Sequence, residues 1–134
     1  MDEPNKKFLI LIVEDERILA DTLTEKLDTE KFDVIESFNG LDGLEFALKR
    51  HPDLILLDIL MPKMDGFEVI KKLSEDPWGV NAKVIVLTNV SDPGDMVAQN
   101  SFAGLGKNYE YLTKANTSLD EVVLRIKHKL GIKI

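Results

Sequence analysis

The sequence predicts a doubly wound α/β domain, in which helices cover both faces of a parallel β-sheet. Short apolar runs rich in branched side chains alternate along the chain with longer segments whose apolar residues recur at helical spacing. A nearly continuous apolar run is typical of a strand covered on both faces, and strands joined through helices run parallel with right-handed crossovers. The alternation predicts five strand–helix repeats.

The first repeat has the clearest pattern. Residues 7–13 (KFLILIV) predict the central strand of the sheet, because nearly every position is apolar. Residues 17–30 predict an amphipathic helix, because charged residues fill the positions between the apolar ones. The apolar positions at helical spacing, expected to face the sheet, are Ile18, Leu19, Leu23 and Leu27.

Turn and breaker residues mark the second repeat. Residues 32–37 predict a short strand, and Asn39-Gly40 predicts a turn after it. Residues 41–50 predict a helix that ends before Pro52. The inward-facing positions of that helix are expected to be Leu44, Phe46, Ala47 and Leu48.

The remaining repeats follow the same alternation. Predicted strands cover residues 53–57, 83–87 and 109–112, and predicted helices cover residues 67–74, 95–103 and 119–130. The chain therefore accommodates three further repeats after the second helix.

Length and composition indicate one folded domain. A chain of 134 residues is long enough for a single core. Its composition, with 44% hydrophobic and 31% charged residues, excludes a chain that stays disordered. The absence of cysteine excludes disulfides and thiolate metal sites. His51 and His128 are isolated in the sequence and are expected at the solvated surface, and Trp78 is assigned no function.

Charge and termini bear on partners and location. A net charge of −7 argues against direct binding of nucleic acid or of an anionic membrane. The longest apolar run, residues 8–13, is far shorter than the ~20 residues of a membrane-spanning helix. Residues 1–7 carry acids where a signal peptide has bases. We therefore expect a cytoplasmic protein.

Polar residues follow four of the predicted strands. Glu14-Asp15-Glu16 comes after the first strand, Asp58 after the third, Thr88 after the fourth and Lys114 after the fifth. Doubly wound sheets bind ligands beyond the carboxyl ends of their strands. These side chains are therefore expected to line one crevice.

The acidic residues of this crevice have two interpretations. In the first, Glu14 and Asp15 cap the first helix, where a carboxylate accepts hydrogen bonds from free amides. Capping does not explain Asp58, and two carboxylates ~4 Å apart repel by about 4 kcal/mol at a surface-like dielectric. A divalent cation relieves that repulsion, and oxygen ligands without histidine or thiolate suit Mg²⁺. The sequence therefore favours a magnesium site.

Lys114 and Thr88 add a cation and a hydroxyl to the crevice. Such groups hold phosphoryl oxygens by charge and by hydrogen bonding. Because Mg²⁺ commonly bridges protein carboxylates to phosphate, the combination predicts a phosphoryl-transfer site.

Four stretches of the sequence resemble one protein family. They are Glu14-Asp15, residues 58–66 (DILMPKMDG, with a tight turn expected at Asp65-Gly66), Thr88 thirty residues after Asp58, and residues 111–114 (YLTK). In combination they resemble the receiver domain of bacterial response regulators, over nearly the whole chain. The resemblance implies a flavodoxin-like three-layer sandwich with a five-stranded parallel sheet in the order 2-1-3-4-5. Few residues follow the last predicted helix, so we expect one receiver domain over residues 1–134, with no effector domain.

The resemblance further implies a role for each site residue. Asp58 would accept a phosphoryl group from a sensor histidine kinase or a phosphotransfer protein, and Lys114 would pair with that group. Asp15 and Asp58 would bind Mg²⁺ directly, Glu14 through water, and Leu60 through its backbone carbonyl. The protein would catalyse only its own aspartyl phosphorylation and dephosphorylation, and would not be an enzyme for outside substrates.

Thr88 and Tyr111 are the switch residues that the resemblance implies. Thr88 would be drawn toward the phosphoryl oxygens, and Tyr111 would turn into the space that Thr88 leaves. The signal would then reach a downstream protein target through the fourth and fifth strands and the helices after them.

The chain departs from the family's usual pattern at three places. Ala115 follows Lys114 at a position where the family commonly has proline after a cis peptide bond. The bond from Lys114 to Ala115 is therefore either a non-proline cis bond or trans. Asn89 follows Thr88 where alanine or glycine is usual, and its amide either narrows access to the phosphoryl group or orients an attacking water. The spacing of 26 residues between Thr88 and Lys114 is slightly longer than is usual for the family, so an irregular output helix is expected.

Three other functions compete with this hypothesis. A flavin carrier of similar fold needs hydroxyl and amide donors after the first strand, where this chain has acids. A hydrolase of the haloacid dehalogenase kind needs a second aspartate two residues after its nucleophile, where this chain has Leu60. The serious alternative is a receiver-like scaffold that binds partners without being phosphorylated, which Glu14, Asn89 and Ala115 make plausible.

Overall fold

The protein has one five-stranded parallel sheet with helices on both faces. The structure is a computed structural model that describes residues 7–89 and 109–133. Its strands are β1 (Leu9–Val13), β2 (Asp33–Ser37), β3 (Leu54–Leu57), β4 (Val84–Thr88) and β5 (Tyr109–Thr113), in the order β2-β1-β3-β4-β5. Its α-helices are α1 (Arg17–Thr29), α2 (Gly40–Arg50), α3 (Gly66–Ser74) and α4 (Leu119–Lys129), with 3₁₀ turns at Gly79–Asn81 and Lys114–Asn116. The predicted fold class and strand order are confirmed.

The core lies in two layers, one on each side of the sheet. Successive residues of a strand point to opposite faces, so Leu11 and Val13 of β1 join one layer while Ile10 and Ile12 join the other. The first layer packs α2 and α3 against the sheet, and the second packs α1 and α4. All four residues of β3 are buried, as expected for a strand covered on both faces.

Two apolar residues predicted to face the sheet do not do so. Ile18 is 85% exposed and Phe46 is 39% exposed. The buried residues of α1 include Leu23, and Ile18 lies five positions before it, which points away from that face at 3.6 residues per turn. Phe46 lies two positions after the buried Leu44 and so falls on nearly the opposite side of α2.

Several predicted boundaries are corrected. The first strand begins at Leu9 and not at residue 7, and β4 extends through Thr88. Asn39-Gly40 is not a free turn, because the Asn39 side chain caps α2 by accepting a hydrogen bond from the Asp42 amide at 2.9 Å. The helix predicted over residues 95–103 lies outside the described residues.

The loop between β3 and α3 is held in place by close backbone contacts. Asp65 does not form the predicted tight turn but caps α3, its side chain accepting from the Glu68 amide at 3.0 Å. The loop turns earlier, where the Met64 amide donates to the carbonyl of Pro62 at 2.9 Å. A Cβ atom on Gly40 would lie 1.8 Å from the carbonyl oxygen of Met64, so α2 begins directly against this loop.

None of the helices within residues 7–89 and 109–133 is both long and apolar enough to cross a lipid bilayer.

Candidate functional site

The carboxyl ends of β1 and β3 bring two acidic residues side by side. The two strands are paired in parallel through Val13 and Leu57, and the Asp58 amide donates to the carbonyl of Val13 at 2.9 Å. Glu14 continues from β1, where its amide donates to the carbonyl of Ser37 on β2 at 3.0 Å. Residues far apart in the sequence therefore leave the sheet at one edge, as the strand-end pattern predicts.

Three carboxylates cluster at this edge. One oxygen from each of Glu14, Asp15 and Asp58 lies within 4.8 Å of the others. Glu14 and Asp58 are buried, at 3% and 5% exposure, while Asp15 is exposed. Helix capping does not account for them, because the N-cap residue of α1 is Glu16 and its side chain makes no capping hydrogen bond.

Lys114 supplies a positive charge to the cluster. Its Nζ atom lies 2.8 Å from Oε1 of Glu14, 3.2 Å from Oε1 of Glu16 and 3.4 Å from Oδ2 of Asp58. The lysine side chain is only 10% exposed. All peptide bonds of the described residues are trans, including the bond from Lys114 to Ala115. The lysine therefore reaches the carboxylates from a trans peptide bond.

The ionisation of the site reflects its burial. Burial raises the pKa of Glu14 to about 7, although its hydrogen bond to Lys114 opposes the shift. Burial also raises the pKa of Asp58, again against the attraction of Lys114. Burial by itself would lower the pKa of Lys114, but hydrogen bonding and charge from Glu14 and Asp58 raise it above its ordinary value. The site keeps its cation and holds two acids that are costly to ionise together.

The loop after Asp58 folds back onto the phosphoacceptor candidate. A Cβ atom on Gly66 would lie 2.6 Å from the backbone oxygen of Asp58, so only glycine allows this approach. Leu60 lies in the loop with a 62% exposed side chain, two residues after Asp58. The donor set of the site consists of hard carboxylate oxygens with an exposed member at Asp15, and it suits Mg²⁺.

The two candidate switch residues occupy neighbouring strands. Thr88 is the last residue of β4, is fully buried and pairs in register with Thr113 of β5. Tyr111 pairs with Val86 and is partly buried against the core layer that contains α2 and α3. Asn89, directly after Thr88, is exposed. Tyr111 therefore already packs against the protein and does not project freely into solvent.

Two features of the structure were not anticipated from the residues. Glu16 follows the acidic pair in sequence, and the structure adds its ion pair with Lys114. His51 ends α2 with a left-handed backbone, and its ring stacks on Trp78 with centroids 4.4 Å apart. A histidine before proline and an isolated tryptophan gave no signal of that contact, because stacking joins residues from different loops.

Comparison with known proteins identifies the family. The model of the response regulator receiver domain family matches residues 10–126. RpaA of Synechocystis, named as a DNA-binding dual master transcriptional regulator, is 31% identical over 118 residues, which are 88% of this chain and 47% of RpaA. The response regulator ArlR of Staphylococcus aureus is 35% identical over 121 residues, which are 88% of this chain and 50% of ArlR. The chain thus spans about half the length of these relatives.

Solved structures agree with the assignment. The signal receiver domain of a signal transduction histidine kinase from Syntrophus aciditrophicus is 32% identical, with a TM-score of 0.79 and coverage of 92% of this chain and 90% of that one. A putative response regulator from Chloroflexus aurantiacus is 28% identical, with a TM-score of 0.79 and coverage of 94% and 99%. These matches confirm the resemblance stated from the sequence motifs. The chain belongs to the response regulator receiver domain family.

Proposed function

We propose that this receiver domain takes a phosphoryl group onto Asp58 from a sensor histidine kinase or a phosphotransfer protein, with Mg²⁺ bound at the same site. The observation that carries the proposal is the meeting of three carboxylates within 4.8 Å with the ammonium group of Lys114. A cation and a metal-binding set beside one buried aspartate match the needs of phosphoryl transfer, in which positioning and charge stabilisation dominate.

In this proposal each residue has a separate task. An oxygen of the Asp58 carboxylate forms a bond to phosphorus while the bond from phosphorus to the donor nitrogen breaks, and the imidazole leaves with that electron pair. The Lys114 ammonium neutralises charge on the phosphoryl oxygens. Asp15, Asp58 and the carbonyl of Leu60 would hold the metal directly, and Glu14 through water. Bound Mg²⁺ would supply further neutralisation of phosphoryl charge.

The experiment that tests the proposal is an intact-mass measurement on the parent protein. Incubation with acetyl phosphate and Mg²⁺ is expected to add one phosphoryl group, and chelation of the metal is expected to prevent the addition. A parent protein that takes up no phosphoryl group from several donors would instead favour the alternative of a scaffold that binds partners without phosphorylation.

Removal of Asp15 should weaken magnesium binding. Asp15→Ala takes away an exposed carboxylate of the three-acid cluster, and we expect a loss of about tenfold or more, since even groups behind the metal ligands commonly contribute that much. Titration with Mg²⁺, followed by amide chemical shifts, measures the affinity. Asp21→Ala, which removes an exposed carboxylate from α1 outside the cluster, is the matched control. Equal affinity of Asp15→Ala and the parent would contradict this ligand assignment.

We also propose that phosphorylation is transmitted through Thr88 and Tyr111 to the surface of β4 and β5. The two residues lie on paired neighbouring strands, where a phosphoryl group near Asp58 can bias a packed arrangement. A downstream protein would bind that surface.

The Thr88→Ala variant tests the transmission. It should still be phosphorylated at Asp58 but should lose most of the phosphorylation-dependent change in amide exchange over β5, because the hydroxyl that contacts the phosphoryl group is missing. Thr88→Ser keeps the hydroxyl and should respond as the parent does. An equal response in the parent and Thr88→Ala would show that the signal does not pass through this hydroxyl.

The partners and the cellular location of this protein are proposed only as broad classes. The DNA binding in the name of RpaA belongs to a protein of which the match covers 47%, and a net charge of −7 argues against direct nucleic-acid binding by this chain. We propose a cytoplasmic signalling protein whose catalysis is limited to phosphorylation and dephosphorylation of its own aspartate.

A further inference from the structure

We propose that Glu16 is a positioning residue for Lys114, holding its ammonium group toward the open side of the site and away from Asp58. The inference rests on the proposed function of Asp58 as the phosphoryl acceptor. It assigns a task to an acidic residue that lies outside the three-carboxylate cluster.

The contacts of Lys114 are unequal. An ammonium group has three donors, and the three carboxylate oxygens near Nζ lie at 2.8 Å for Glu14, 3.2 Å for Glu16 and 3.4 Å for Asp58. The two shorter contacts are both to the segment between β1 and α1. The contact to the acceptor residue is the longest of the three.

Glu14 and Glu16 act on the lysine as a connected pair. The Glu16 amide donates to Oε2 of Glu14 at 3.1 Å, while Oε1 of each residue contacts Lys114. The side chain of Glu16 is 58% exposed, against 4% for Glu14 and 6% for Asp58. Glu16 therefore gives the ammonium group a contact on the solvent-facing side of the site.

The position of the ammonium group matters for the nucleophile. A lysine that bonds closely to Asp58 occupies a carboxylate lone pair and makes that oxygen a weaker nucleophile. If Glu16 is removed, the ammonium keeps Glu14 and its free donor turns toward Asp58. The lysine is then withdrawn from incoming phosphoryl oxygens and competes for the attacking atom.

The first measurement is the rate of phosphoryl uptake from acetyl phosphate with Mg²⁺. Glu16→Gln should reduce the rate by about threefold, the range expected for an ion pair in which one partner is exposed. The backbone contact of Glu16 with the Ala20 amide does not involve the side chain, so α1 should be retained. Glu25→Gln removes an equal charge from an exposed position of α1 and should leave the rate unchanged. An equal fall in Glu25→Gln would overturn the proposal in favour of a general charge effect.

A double-mutant cycle tests whether Glu16 acts through the lysine. In a Lys114→Gln background, Glu16→Gln should cause no further fall in rate, because the group that it positions is absent. A threefold fall that persists in that background would overturn the proposal.

A measurement without phosphorylation separates this inference from the proposed function. Hydrogen exchange of the ¹⁵N-labelled Lys114 ammonium group should be faster in Glu16→Gln than in the parent and in Glu25→Gln, because a charged acceptor becomes a neutral, weaker one. Equal exchange in all three proteins would overturn the positioning role. If the parent takes up no phosphoryl group, the proposed function of Asp58 fails, and the exchange rates alone decide whether Glu16 positions Lys114.

Discussion

Replacing Asp58 by asparagine is expected to abolish phosphoryl uptake while leaving the protein folded. The amide lacks the anionic oxygen that forms the bond to phosphorus, but it has nearly the same shape as the carboxylate. Because burial raises the pKa of Asp58, ionising this side chain is costly in the folded state, and a neutral amide should not lower the free energy of unfolding. Intact mass after incubation with acetyl phosphate and Mg²⁺ measures uptake, and urea unfolding followed by Trp78 fluorescence measures stability.

A second aspartate provides the control for this variant. Asp21→Asn makes the same chemical change at an exposed position of α1 and should be phosphorylated at the parental rate. Uptake by Asp58→Asn at the same rate as the parent would show that another residue accepts the phosphoryl group. Asp15 would be the next residue to test, since one of its oxygens lies within 4.8 Å of Asp58.

Gly40→Ala is expected to lower the free energy of unfolding by more than Gly131→Ala does. The new methyl group would lie 1.8 Å from the carbonyl oxygen of Met64, a backbone atom that cannot move without displacing the loop. Forcing an atom into such a packed position costs about 2 kcal/mol or more. The free energy of unfolding in urea measures the loss, and amide shifts of residues 58–66 should show the displaced loop.

Gly131→Ala separates steric overlap from backbone strain. Gly131 has a φ of +75°, but apart from its chain neighbours no heavy atom of the described residues lies within 4 Å of an added Cβ atom. Its replacement should cost only about 1 kcal/mol, the cost of a left-handed conformation for alanine. If Gly40→Ala were no more destabilising than Gly131→Ala, the loop would be free to move away from α2.

The architecture and the strand-end residues could be predicted from the sequence because both follow from periodic burial. Apolar runs end immediately before Glu14 and Asp58, and parallel strands place such ends at one edge. Strand order and family follow from four stretches in combination, namely Glu14-Asp15, residues 58–66, Thr88 and residues 111–114, and not from periodicity. The correct placement of these elements then brings Lys114 to the acids across long sequence separations.

The predictions that were wrong also have local causes. Hydrophobicity identifies Ile18 and Phe46 as apolar but does not state which face of a helix meets the sheet, and both residues are exposed. Asn39-Gly40 resembles a turn, yet the asparagine caps a helix because the next residues continue in helical geometry. The choice of Lys114 between neighbouring carboxylates depends on side-chain reach, which no sequence pattern encodes.

The ion pairs of Lys114 also constrain when the site can exist during synthesis. They join residue 114 to residues 14, 16 and 58, and the lysine directly follows β5, which among the described strands pairs with β4. A ribosome completes Asp58 well before it completes the lysine, so a nascent chain passes through a stage with the acids but without their cation. The site is therefore completed only after β5, and a chain interrupted before β5 would carry the buried carboxylates of Glu14 and Asp58 without the cation that Lys114 supplies.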